Sequence, residues 1–308
     1  MLNLVQWGDK GAEIRPCTDF DEAIYPVSNG IYTMAAVIDS LQIAHEVGAA
    51  QGESETRLRT WQKTIESLQE NLPKTPDGKM YLSAKGADHR HIGEVGPVFP
   101  FGVFEDKQVA RQTVDSFVEA VRSGPGLKPG SLPGYDGTRW LWTTAHVAVS
   151  YNLLGDTTAA WELLKNAPES AGPGMISCEH VSADGSIALP FFTTSAGAFV
   201  HALNSIFLFI PGPGITRLGL LPEQINSASF KRLAGAEGLR VSCSYENRVV
   251  SCLELWHPST IEAKLEIPKQ HFAPLVPQLE AFYLTETPTH WSVQVHVDSK
   301  GIRWRVVL

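Results

Sequence analysis

Cysteine is scarce in this chain. The four present (Cys17, Cys178, Cys243 and Cys252) show no CxxC spacing, so the sequence predicts no metal site, and no cofactor is expected. Basic charge is short as well: 25 Lys and Arg stand against 33 Asp and Glu, a formal net charge of -8. No basic stripe exists to neutralise a phosphate backbone, which excludes a nucleic-acid binder and leaves neutral or cationic partners. No window approaches the eighteen apolar residues that a membrane span needs. The start, MLNLVQWGDKGAEIR, has neither a charged leader nor an apolar core, so a soluble chain without a signal peptide is expected, its localisation otherwise open.

What is present suits a sizeable core: 43% hydrophobic residues and eight Trp in 308 positions. The first two thirds reads as helices joined by Gly/Pro-rich, aromatic loops. Ile31, Met34, Ala35, Ile38, Leu41 and Ile43 recur at helical spacing, with Asn29 placed to cap the start and Gly48 the end. Leu58, Trp61, Ile65 and Leu68 repeat the pattern before Pro73. Further helices are predicted over residues 105–122, 137–154 and 157–165, the last two separated by Leu154-Gly155-Asp156. The almost wholly apolar stretch from Thr193 to Phe209 predicts a sixth helix, buried on most sides.

From Pro211 the period changes. Beyond PGPG come ITRLGLL, GLRVSCSY, RVVSCLEL, IEAKLEI, EAFYLT, WSVQVHV and IRWRVVL, seven short β-type runs. Helices followed by strands predict two domains, a helical one over residues 1–210 and a small antiparallel β-sandwich over 211–308, an α+β multidomain chain. In RVSCSYENRVVSCLEL a two-residue turn at Asn247-Arg248 places Cys243 opposite Cys252. A cross-strand disulfide and a pair of small buried residues both fit that pattern.

Candidate chemistry begins at TDFDEAIYPVSNGIYT, where Asp19, Asp21 and Glu22 precede a turn and a helix start. Acids there can be solvated charge at a helix N-terminus, which is the expectation for Asp19, or a working carboxyl. The spacing from Asp21-Glu22 to Asn29 and to Tyr32-Thr33 resembles the acid-bearing loop of glycoside hydrolase family 65, whose members are (α/α)6 toroid, or six-hairpin, glycosidases and phosphorylases. FFTTSAGAFVHALNSIFLF is similar to that family's Thr-Thr loop and last barrel helix. DHRHIGEVGPVFPFG resembles the Arg-His loop of the related family 95. Two departures stand out: Ala23-Ile24 replaces the usual Tyr-His, and Ala196 stands where the Thr-Thr loop carries a Glu.

The resemblance implies half of a helical toroid plus its C-terminal sandwich, and a carbohydrate substrate. It also implies a missing N-terminal half, a homo-oligomer that supplies it, or a degenerate copy without activity. Glu22 then is the general acid of an inverting glycosidase, with Asp21 orienting its loop and Asn29 and Tyr32 in the substrate frame. Glu179 is the preferred base, with Asp184 and Asp136 as rivals in turn-forming Asp-Gly pairs. Thr193, Thr194 and Ser195 could instead hold inorganic phosphate, as in the phosphorylases, or simply cap a helix. Trp140, Trp142, Tyr135 and Phe191 are rings for sugar faces or for the core. His89, Arg90 and His91 bind hydroxyls or phosphate or lie at the surface, and His201 reads as a core histidine.

Overall fold

A computed structural model describes residues 4–20, 26–87, 90–122, 138–212, 214–273 and 283–305. Asp21, Glu22, His89, Tyr135 and Asp136 lie outside them.

The chain opens with a strand pair that the sequence reading did not anticipate, β1 (Val5–Gly8) and β2 (Gly11–Ile14). Each has four residues, too few for alternation to show. Ala12 and Ile14 are fully buried and join the core of the first helical hairpin. That hairpin is α1 (Ile31–Ala50) on α2 (Glu55–Glu70), packed through Met34, Ile38 and Leu41 against Ile65 and Leu68. Gly48 does not end α1. It lies within the helix, where an added Cβ would meet the Trp61 ring at 2.9 Å, so its absence of a side chain lets α2 approach.

The second helical core joins α3 (Lys107–Arg122), α4 (Leu141–Leu154), α5 (Thr157–Leu164) and α6 (Thr193–Phe207). Asp106 and Asp156 cap α3 and α5 through their carboxylates. A buried Asn152 to Ser205 bond of 2.8 Å ties α4 to α6. All six helices thus fall within a few residues of their sequence-based positions. Between α5 and α6 a second strand pair intervenes, β3 (Cys178–Val181) with β4 (Ile187–Pro190).

The expectation for α6 needs correction. Ser195, Ala202, Ser205 and Ile206 are its buried residues, whereas Val200 is 55% exposed and His201 is also on the outside. No described helix is long and apolar enough to cross a membrane.

Immediately after α6 the chain becomes strand: β5 (Leu208–Gly212), β6 (Ile215–Leu218), β7 (Ala228–Ala234), β8 (Arg240–Glu246), β9 (Val249–Trp256) and β10 (Ile261–Pro268). β11 (Tyr283–Glu286), β12 (His290–Val297) and β13 (Ile302–Arg305) follow. They form two sheets, ordered β11-β12-β10-β6-β5 and β13-β9-β8-β7. Leu265, Val293 and Val295 of the first share one core with Val241, Leu253 and Leu255 of the second. The pairing is not wholly antiparallel, because β10 runs parallel to β6. β5 and β7 were not among the seven runs read from sequence.

The Asn247-Arg248 turn is present, with φ of 50° and 65°, as a type I′ hairpin demands. The cysteines are nevertheless not opposite. A bulge shifts the register so that Cys243 faces Leu253 and Cys252 faces Ser244, and all four cysteines are free. One inserted residue turns Cys252 to the other face of the sheet.

Candidate functional site

The acid-bearing loop is anchored by the residue expected to be solvated. Asp19 is only 5% exposed, and its Oδ1 accepts from the Thr33 backbone N at 2.8 Å and from Thr33 Oγ1 at 2.6 Å. Thr33 is the third residue of α1, so Asp19 caps that helix from a distance in sequence, a role that Asn29 does not fill. Asn29 adopts φ of 55° and accepts from Ile14 N at 2.6 Å, tying the loop to β2. Its side chain belongs to the framework. The capping approach needs Gly30, where an added Cβ would come within 2.4 Å of the Asp19 carboxyl carbon.

Next to Asp19, Phe20 begins a run of touching rings. It stacks on Tyr32 at 4.5 Å between centroids and meets Trp142 edge-on at 5.8 Å and His91 at 5.6 Å. Trp142 lies edge-on to Trp140 at 5.7 Å, and Trp140 packs on His180 at 4.6 Å. His180 sits beside Glu179 on β3, its Nδ1 3.7 Å from the carboxylate. Rings thus connect the residue preceding Asp21 and Glu22 to the preferred base. This assembly comes from the N-terminal ends of α1 and α4 and from the β3–β4 pair. Both tryptophans are half-buried, and Trp142 Nε1 is buried with no acceptor among the described residues.

Electrostatics follow burial. Burial first, then the Asp19 charge, holds the Tyr32 phenol above its ordinary value, so it stays protonated at neutral pH. Burial depresses His146, one turn below Trp142, against the opposing effect of its Nδ1 donating to the Trp142 carbonyl at 2.9 Å. A neutral imidazole therefore supports that ring.

Several expected ligand groups are engaged elsewhere. Arg90 pairs with the fully buried Glu94 at 2.9 Å and donates to the Tyr81 and Thr113 carbonyls, each at 3.3 Å, strapping its loop to α3. His91 Nδ1 accepts from Gly93 N at 3.1 Å and caps the turn Ile92–Val95. Ser195 is fully buried, with Oγ donating to the Cys178 carbonyl at 2.7 Å. Thr193 and Thr194 are exposed in the first turn of α6, and no side chain caps that turn. Asp184 is exposed and accepts from Ser186 N at 2.9 Å; hydrogen bonds from Ser186 hold its carboxyl below the usual range, as in a tight turn. His201 is an exposed histidine stacked on Phe99 at 5.5 Å, not a core residue.

The sequence reading missed Asp19 as a cap, Phe20 as the hub and His180 as the link to Trp140. The one signal for Phe20 was an aromatic standing among the acids of DFDE.

No protein-family model matches the chain, and no curated protein matches it. Solved structures do. One is a glycosidase, determined as wild type and, in a variant, in complex with glucose: 17% identity, TM-score 0.50, covering 62% of this chain and 55% of that one. Another is the α-L-rhamnosidase of Streptomyces avermitilis complexed with L-rhamnose: 14% identity, TM-score 0.50, covering 88% of this chain and 26% of that one. The chain therefore has a glycoside hydrolase-like fold, and it spans about half the length of the first and about a quarter of the second.

Proposed function

We propose that the chain is the C-terminal half of a six-hairpin (α/α)6 toroid glycosidase with its β-sandwich, nearest to family 65, and that it acts on a glycosidic bond with inversion. The observation that carries this reading is the ring run from Phe20, the residue before Asp21, through Trp142 and Trp140 to His180, the neighbour of Glu179. Sugars offer C–H faces to rings, and the half-buried Trp140 and Trp142 are rings of that kind.

In this reading Glu22 gives its proton to the departing oxygen, with Asp21 beside it orienting the loop and Asp136 contributing to sugar binding. Glu179, whose side chain is 30% exposed, activates water from the other side. The exposed hydroxyls of Thr193 and Thr194 at a helix start favour a second arm, in which phosphate replaces water. The half length favours a further reading, that the chain binds carbohydrate without turning it over unless a partner or a second copy completes the cleft. The helical and sandwich parts divide near residue 211 on this reading.

The test incubates the chain with gluco- and rhamnosides, with and without phosphate. Free sugar of inverted anomeric form, lost in Glu22→Gln, supports hydrolysis. Sugar 1-phosphate that depends on added phosphate selects phosphorolysis. Binding without turnover, unchanged in Glu22→Gln, selects the non-catalytic reading, and no binding of any sugar overturns all three.

A further inference from the structure

A cavity of about 980 Å³ opens between the second halves of α1 and α6, closed on its other sides by the loop around Phe99 and Phe101 and by β5. It lies away from the acid loop. Asp39, on its α1 wall, stands eight residues past Ile31, about 12 Å along the helix. The proposed glycoside chemistry uses none of its residues.

The charge of this cavity is one-sided. Asp39, Gln42 and Glu46 follow one another at helical spacing on α1, so one face of that helix turns all three to the space. Two are carboxylates, and among the described residues that line the cavity there is no Lys or Arg to answer them. Asp39 makes neither an ion pair nor a hydrogen bond among the described residues, and burial alone raises its carboxyl above the ordinary value. A carboxylate drawn from water without a partner is costly, and a cation offsets that cost. Elsewhere the fold supplies one, as Arg111 does for Asp115 and Asp156. Here the facing wall offers rings instead, Phe99, Phe101 and Phe209, surfaces that suit methylenes bearing positive charge. Burial lowers His201, stacked on Phe99, so that histidine adds no cation at neutral pH.

We propose that this cavity binds a linear aliphatic polyamine, with one ammonium end at Asp39, the other at Glu46 and the hydrocarbon between them against the phenylalanines. Seven residues of helix rise about 10 Å, a span matched by an extended chain of about eight atoms between two ammonium groups. A divalent metal ion cannot reach two carboxylates so far apart. A neutral diol fits the length and leaves both charges unanswered. The site stands independently of the carbohydrate reading.

The experiment is calorimetric titration of the full chain at fixed ionic strength and pH 8, above the ordinary histidine value. Its probes are the linear α,ω-diamines diaminooctane and diaminobutane, the matching octanediol, and Mg²⁺. Diaminooctane is expected to bind one to one and about tenfold more tightly than diaminobutane, which reaches a single carboxylate. Octanediol and Mg²⁺ are expected not to compete with it. Asp39→Asn and Glu46→Gln are each expected to weaken diaminooctane about tenfold and to remove most of the length preference. Glu262→Gln, at an exposed acid of β10 outside the cavity, is expected to change nothing.

Equal affinity for the two diamines, affinity unchanged in Asp39→Asn, or an equal loss in Glu262→Gln means loose counterion association with a chain of net charge -8, and each overturns the site. Displacement of the diamine by octanediol or by Mg²⁺ overturns the polyamine assignment, as does failure of diaminooctane to bind. Glu46 is exposed, so Glu46→Gln decides the matter even where Asp39→Asn fails to fold.

Discussion

Asp19 Oδ1 lies 2.8 Å from the backbone N of Thr33, fourteen residues away, and closes the first turn of α1. Asp19→Ala removes that acceptor and the bond to Thr33 Oγ1, so it is expected to cost about 1–2 kcal/mol of stability. Asp19→Asn keeps one acceptor and costs less. Urea unfolding checks both, and equal stability of Asp19→Ala and wild type would contradict the capping role.

Arg90, partly buried, is paired with the fully buried Glu94, so its loss removes a cationic partner from a carboxyl group in the core. Arg90→Met is expected to destabilise the fold by about 3 kcal/mol. Arg90→Lys recovers part of that loss without the bonds to Tyr81 and Thr113. A ligand-binding surface arginine would instead lower affinity with the melting temperature unchanged.

Trp140 lies between Trp142 and His180 in the ring run. Trp140→Ala is expected to weaken glycoside binding about tenfold, and Trp140→Phe to restore most of it, because a ring is what the contact uses. Titration calorimetry with a glucoside that the wild type binds measures both.

The cysteines report on register. Burial pushes the Cys243 thiol up to about 12, and burial raises Cys178 as well. Alkylation of the native protein at pH 8 is therefore expected to spare these two and to reach them only after unfolding, since the thiolate is the reactive form. A mass two units below the reduced value, from a Cys243 to Cys252 disulfide, would contradict the bulged register.

His146 sets a pH dependence whose sign follows from its depressed folded value. The unfolded chain takes up the proton first, near pH 6.5, so stability from this site is complete above that pH. It declines as pH falls from 6.5 toward the lowered folded value and then levels off. Urea midpoints at pH 7.5 and 5.5 should differ more for wild type than for His146→Gln.

Helix positions were legible because apolar periodicity over fourteen or more residues survives any local accident, as in α2 and α3. The short strands β1 to β4 were not, since four residues carry no period and tertiary contacts decide their pairing. α6 misled for a related reason. Its composition is apolar all round, but composition does not say which faces find neighbours, and Val200 stays 55% exposed.

The site divided along the same line. The acid loop and Glu179 were marked as candidates through the family resemblance, and the tryptophan pair through its place in GYDGTRWLWTT. Roles within the framework were settled only by the fold. Asp19, Asn29, Arg90 and Ser195 are polar residues that sequence leaves free to face solvent or ligand, and the fold, burying Asp19 and Ser195 and half-burying the others, has each bond within the protein.

By itself the sequence determined two regimes, helical then β, and marked a set of candidate carboxylates and rings, since period and side-chain chemistry are written residue by residue. Tertiary structure decided which rings touch, that a bulge separates Cys243 from Cys252, and that Phe20 joins Tyr32 to Trp142. Those facts depend on contacts between residues far apart in the chain, where burial selects one arrangement from many that the local pattern allows.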